Sequence, residues 1–122
     1  MANNMAIEIP GLNVNSGLDL CDGNINLYLD SLRLFVSGTP EDLEKMKYVS
    51  KETLEEYSIA AHSVKSMSQY VGAEEARKTA KQLEAMADAG DLAGVLAKNE
   101  AFIKYVECLV ADVRKWLENR GQ

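Results

Sequence analysis

His62 is the only histidine in the chain, and Lys65 and Ser66 follow it three and four residues later. On a helix these three positions share one face. A neutral imidazole nitrogen is a usable nucleophile near neutral pH, and an ammonium one turn away can balance an anion delivered to the ring. Ser66 is small, which leaves space for a bulky group on the ring or for the surface of another protein. Each residue also has an ordinary reading: a lone histidine on a helix is most often a surface or satisfied core residue, and solvated lysines and serines are common.

A partner for the ring comes from hairpin arithmetic. The chain reverses at Gly72-Ala73, ten residues after His62, or about 15 Å of helix. The antiparallel helix at that height carries residues near Lys81 to Glu84. Glu84 follows the apolar Leu83, borders the buried stripe of its helix and wants a donor. The Nδ1–H of His62 is a candidate donor, and such a bond would hold one tautomer and leave the Nε2 lone pair free. An ordinary surface glutamate, or an i,i+4 partner for nearby lysines, is the competing reading.

The elements that must position these residues are helical, because no strand-like alternation persists. An extended Ile7–Leu12 segment precedes a short helix from Asn15 to Cys21, ended by Asp22-Gly23. A helix from Asn24 to Ser37 carries more than one apolar stripe, so it should touch the core and a second surface. Gly38-Thr39-Pro40-Glu41 reads as a restart, with Thr39 as N-cap and Pro40 in the first helical position. That helix reaches about Tyr48. Ser50 then caps the helix carrying His62, whose stripe is Leu54, Tyr57, Ala61, Val64, Ser68 and Val71. His62 lies beside this stripe, on a face with Ser58, Ile59, Lys65, Ser66 and Gln69. Gly72 ends the helix. Another runs from Ala73 to Ala89, burying Ala76, Ala80, Leu83 and Ala87. Asp91 caps the last, with a stripe from Leu92 and Leu96 to Trp116 and Leu117. Short loops between long amphipathic helices predict an all-α, antiparallel up-down four-helix bundle with short N-terminal flanking helices, and one domain over residues 1–122.

Composition narrows the function. The 122 residues have a formal charge of −6 and no basic stripe, which argues against nucleic-acid binding. No apolar run approaches the roughly 20 residues that span a bilayer, and no export signal opens the chain, so a cytoplasmic protein is expected. Cys21 and Cys108 are far apart in sequence and read as reduced core thiols. His62 has no Cys or second His with which to share a metal ion.

The segment Ala61-His62-x-Val64-Lys65-Ser66-x-Ser68-x-x-Val71-Gly72-Ala73 resembles the signature of histidine-containing phosphotransfer (Hpt) domains, roughly A-H-x-L-K-G-x-x-x-x-L-G-A. The Leu83-Glu84 pair, Gly90-Asp91, the opening Ile9-Pro10-Gly11-Leu12 with Gly17-Leu18, and Leu27-Tyr28 with Leu34-Phe35 extend the resemblance over nearly the whole chain. The resemblance implies that His62 is phosphorylated at Nε2 by a receiver-domain aspartyl phosphate and passes the group to another receiver aspartate. It also implies that Lys65 holds the phosphoryl group electrostatically and that Glu84 bonds the active histidine. The protein would be a phosphocarrier without a small-molecule substrate. It would need no cofactor of its own, since Mg²⁺ belongs to the receiver site.

The implied partners are response-regulator receiver domains or a hybrid sensor histidine kinase, met by a monomeric carrier. Ile59, Ser66 and Gln69, which share the His62 face, are the expected docking residues. Ser66 stands where the family usually has glycine, which favours an alternative in which the module only binds receivers. A bundle that assembles through the second stripe of the Asn24–Ser37 helix is a third reading.

Overall fold

The computed structural model describes residues 7–120, all of whose regular structure is helical. In chain order these are α1 (Val14–Leu20), α2 (Ile25–Lys47), a 3-10 turn (Lys51–Thr53), α3 (Leu54–Val71), α4 (Glu74–Asp88) and α5 (Leu92–Arg120). Each long helix packs on the next, and α5 returns to α2, closing the four-helix bundle. No helix among the described residues is long and apolar enough to cross a membrane.

Spacing along each helix explains the bundle. α3 buries Leu54, Tyr57, Ala61, Val64, Ser68 and Val71 at three- and four-residue intervals, as expected, together with Ala60. α4 buries Ala76, Ala80, Leu83 and Ala87. Its alanines allow the α3 and α4 backbones to approach closely, and this is the most extensive helix pair in the molecule. α5 buries Val95, Asn99, Phe102, Val106, Leu109 and Val113 on one line. Leu96, expected in that stripe, is instead 56% exposed. It directly follows Val95, and one helical step turns it about 100° from the core.

The restart expected at Gly38-Thr39-Pro40 does not occur: α2 runs unbroken from Ile25 to Lys47 with Pro40 inside it. Tyr28, Leu32, Phe35, Thr39, Leu43 and Met46 are buried along a single line that passes through the proline. Pro40 has no N–H for the Val36 carbonyl, which costs a local bond. Packing of the buried residues on both sides outweighs that loss. Thr39 is therefore a fully buried core residue, not an N-cap. Among the described residues, α1 is the short helix that flanks the bundle on its N-terminal side. The second apolar surface of α2 is only partly covered, since α1 touches this helix but Leu27 and Leu34 remain 52% and 59% exposed.

One of the two cysteines departs from expectation. Both are free thiols; Cys21 packs partly against the core, but Cys108 is exposed.

The turn between α3 and α4 is locked by the N-terminal segment. Gly72 adopts φ +83°, and a side chain there would collide with the backbone of Asn13. Both the left-handed conformation and the close approach call for glycine. The Asn13 N–H donates to the Gly72 carbonyl at 2.7 Å, and the Tyr28 hydroxyl donates to the Val71 carbonyl at 2.8 Å. The caps are local: Asn13 caps α1, Asn24 caps α2, and Asp91 bonds the Gly94 N–H at the start of α5. Ser50 and Thr53 cap the 3-10 turn that leads into α3.

Candidate functional site

The candidate site lies on the seam between α3 and α4. Glu84 on α4 accepts two hydrogen bonds from α3. The His62 Nδ1–H donates to its Oε2 at 2.8 Å, and the Lys65 Nζ donates to its Oε1 at 2.9 Å. The hairpin arithmetic thus meets the residue it pointed to.

Electrostatics fix the state of Glu84. Burial alone would push the Glu84 carboxyl up. The bonds from Lys65 and His62 outweigh burial and hold it below the ordinary glutamate range, so it is ionised near neutral pH. An ionised carboxylate only accepts, so the facing Nδ1 carries the proton. In its neutral form the ring keeps its lone pair on Nε2, which has no protein partner among the described residues. The histidine side chain is 58% exposed, whereas Glu84 is only 19% exposed. The carboxylate is thus sheltered while the ring it orients reaches into solvent. Chemically, this is an oriented imidazole nucleophile with one nitrogen occupied and the other open.

Lys65 also sits near the ring but is not free. It is 24% exposed and engaged by Glu84, a contact the sequence reasoning did not anticipate. Its ammonium is paired with the Glu84 carboxylate beside the ring.

The residues expected to meet a partner share the flank of α3. Ile59, three residues before His62, is 68% exposed, a large apolar side chain left to solvent. Gln69 is exposed, and Ser66 is partly covered. The serine sits on the ring's own face one turn further on.

A second α3–α4 rung was also missed. One turn before His62, the Ser58 hydroxyl donates to the Asp88 carboxylate in a short hydrogen bond. The signal was available, because the register that pairs position 62 with 84 also pairs 58 with 88. Tyr57, next in the chain but turned inward, donates to Asn99 Oδ1 at 2.8 Å, and Asn99 Nδ2 donates to the Met46 carbonyl at 2.8 Å. This buried network ties α3, α5 and the end of α2 together and lies away from the exposed ring.

A family model described as "Hpt domain" matches residues 30–116, which include all the residues of this seam. No curated protein and no solved structure matched the chain.

Proposed function

The chain belongs to the Hpt domain family, and from that premise we propose that it is a phosphorelay carrier whose phosphorylated residue is His62. Membership implies histidine phosphotransfer within a phosphorelay and two-component partners such as receiver domains or kinases. The observation that carries the assignment to His62 is the Nδ1–Glu84 bond on a solvent-exposed ring.

In this reading the Nε2 lone pair attacks the phosphorus of an aspartyl phosphate on a receiver domain. The P–Nε2 bond forms, the P–O bond breaks, and the receiver carboxylate leaves with the electron pair. The Nδ1 proton stays on the ring, and the adjacent Glu84 carboxylate offsets the positive charge the ring acquires. The second transfer reverses these steps onto another receiver's aspartate. Lys65, within reach of both Glu84 and the ring's helical face, supplies a cation for the phosphoryl oxygens. In this reading the carrier brings no cofactor of its own, and the Mg²⁺ of the reaction belongs to the receiver. Ile59, Ser66 and Gln69 form the docking flank. A carrier of this kind works as a cytoplasmic monomer, since it must release each partner.

Ser66 supports a second reading, a module that binds receivers without carrying phosphate, because a side chain stands beside the ring where the family usually has none. One experiment separates the two. The protein is incubated with a phosphorylated receiver domain, and acid-labile, base-stable label is followed. Label in wild type that is lost in His62→Gln is the expected result. Equal label in both proteins overturns the assignment to His62. Binding without label in wild type supports the second reading.

A further inference from the structure

Asp88 breaks a local rule. It is the last residue of α4, where the negative end of the helix dipole disfavours an acid. Among the described residues no cation pairs with it; its carboxylate is instead held by the Ser58 hydroxyl on α3. Ser58 precedes His62 by four residues, one turn along the same face. The carboxylate is therefore pinned on the order of 6–8 Å from the imidazole. Of the acids on the seam, Glu84 is paired with Lys65, whereas Asp88 has no paired cation among the described residues. A group that is locally unfavourable, yet fastened across a helix interface beside a reactive ring, is where function is expected to override stability.

We propose that Asp88, positioned by Ser58, is an electrostatic element that raises the phosphoryl-transfer potential of phosphorylated His62. This inference rests on the phosphocarrier reading and adds a residue to it. A phosphoryl group carries nearly two negative charges at neutral pH. A carboxylate about one turn away opposes its arrival at Nε2 and favours its departure to a receiver. Asp88 touches neither the phosphoryl group nor the ring. At this separation in solvent the repulsion corresponds to about a two- to threefold change in a rate or equilibrium at low salt, and to almost none at 1 M salt, where screening acts within about 3 Å.

The test uses the whole chain and phosphoramidate, an anionic donor that needs no partner protein. The Nε2 lone pair attacks phosphorus, the donor's P–N bond breaks, and ammonia leaves. The rate of phosphohistidine formation is followed by intact mass at 20 mM and 1 M sodium chloride, with thermal unfolding measured in parallel. Asp88→Asn is expected to load about two- to threefold faster than wild type at low salt, at the same rate at high salt, and without a lowered melting temperature. Ser58→Ala, which releases the carboxylate, should change in the same direction by less. The distant Asp112→Asn should match wild type. Equal rates for Asp88→Asn and wild type at low salt, or a difference that survives 1 M salt, overturn the inference while leaving the carrier reading intact. If phosphorylated receiver fails to label wild type at His62, the carrier reading fails, and this inference with it.

Discussion

Two three-membered polar networks stand a short distance apart on α3, and they are built alike. In each, one residue from a neighbouring helix joins two groups: Glu84 joins His62 and Lys65, and Asn99 joins Tyr57 and the Met46 carbonyl. They differ in what is left over. Every group of the Asn99 network is neutral and buried, and burial pushes the Tyr57 hydroxyl far above its usual pKa, so nothing there titrates near neutrality. The Glu84 network is charged, partly exposed, and ends on a nitrogen with no protein partner among the described residues. The first fixes how three helices sit together. The second orients a group that still has chemistry to do.

Breaking the buried network should produce the larger effect on folding. Asn99→Leu leaves the Tyr57 hydroxyl and the Met46 carbonyl buried without partners, and is expected to cost about 2–4 kcal/mol in urea unfolding. Phosphotransfer by the fraction that remains folded should be unchanged. A variant that folds as well as wild type would mean that water or a shifted side chain satisfies those groups.

Glu84→Ala should show the reverse pattern. Phosphotransfer is expected to slow by about tenfold or more, as for the loss of other groups that orient a reactive histidine. Stability should fall by only about 1 kcal/mol at pH 7, because both bonds lie near the surface. The sign of the pH dependence follows from the lowered carboxyl pKa. The contribution of Glu84 is complete above the ordinary glutamate value of about 4.3 and is lost as pH falls through its lower value in the folded protein. The unfolding free energies of wild type and Glu84→Ala should therefore converge in acid. An equal loss of stability with unchanged transfer would reduce Glu84 to a structural residue.

The smallest effect is expected at Ser66. Ser66→Gly should cost about 0.5 kcal/mol of helix stability and speed transfer from a receiver no more than a few-fold, because only a hydroxymethyl group is removed. A gain of a hundredfold would show that the serine blocks docking and would favour the binding-only reading.

Much of this was legible in the sequence where a single periodicity governed. The α3 stripe, the turn at Gly72 and the level of Glu84 all follow from counting along rigid helices, as does the helical class. Counting failed at Pro40, where a local stop signal competed with a buried line. The decisive residue was Thr39, polar in sequence but placed on the line joining Phe35 to Leu43. Asn99 was hidden for a related reason. It occupies the core position between Val95 and Phe102, and an apolar stripe steps over a polar member without recording it. The sequence does hold the clue, since a lone amide on such a line must find partners. The Ser58–Asp88 rung follows from the same hairpin register as His62 and Glu84, whereas the second bond of Glu84 depends on how side chains lean across the seam, which spacing along one helix does not contain.

The lock between Asn13 and Gly72 has a consequence for how this protein can vary. The α3–α4 turn is the origin from which the phase of α4 is measured, and Glu84 lies about three turns beyond it. One residue added to the turn would rotate everything after it by about 100°, swinging the carboxylate off the ring while leaving the helices intact as helices. The backbone of Asn13 is pressed on a glycine that tolerates no side chain, so such an insertion would have to displace it. A segment far from the chemistry thus acts as a timing mark, keeping two helix faces in step so that one histidine meets its acid.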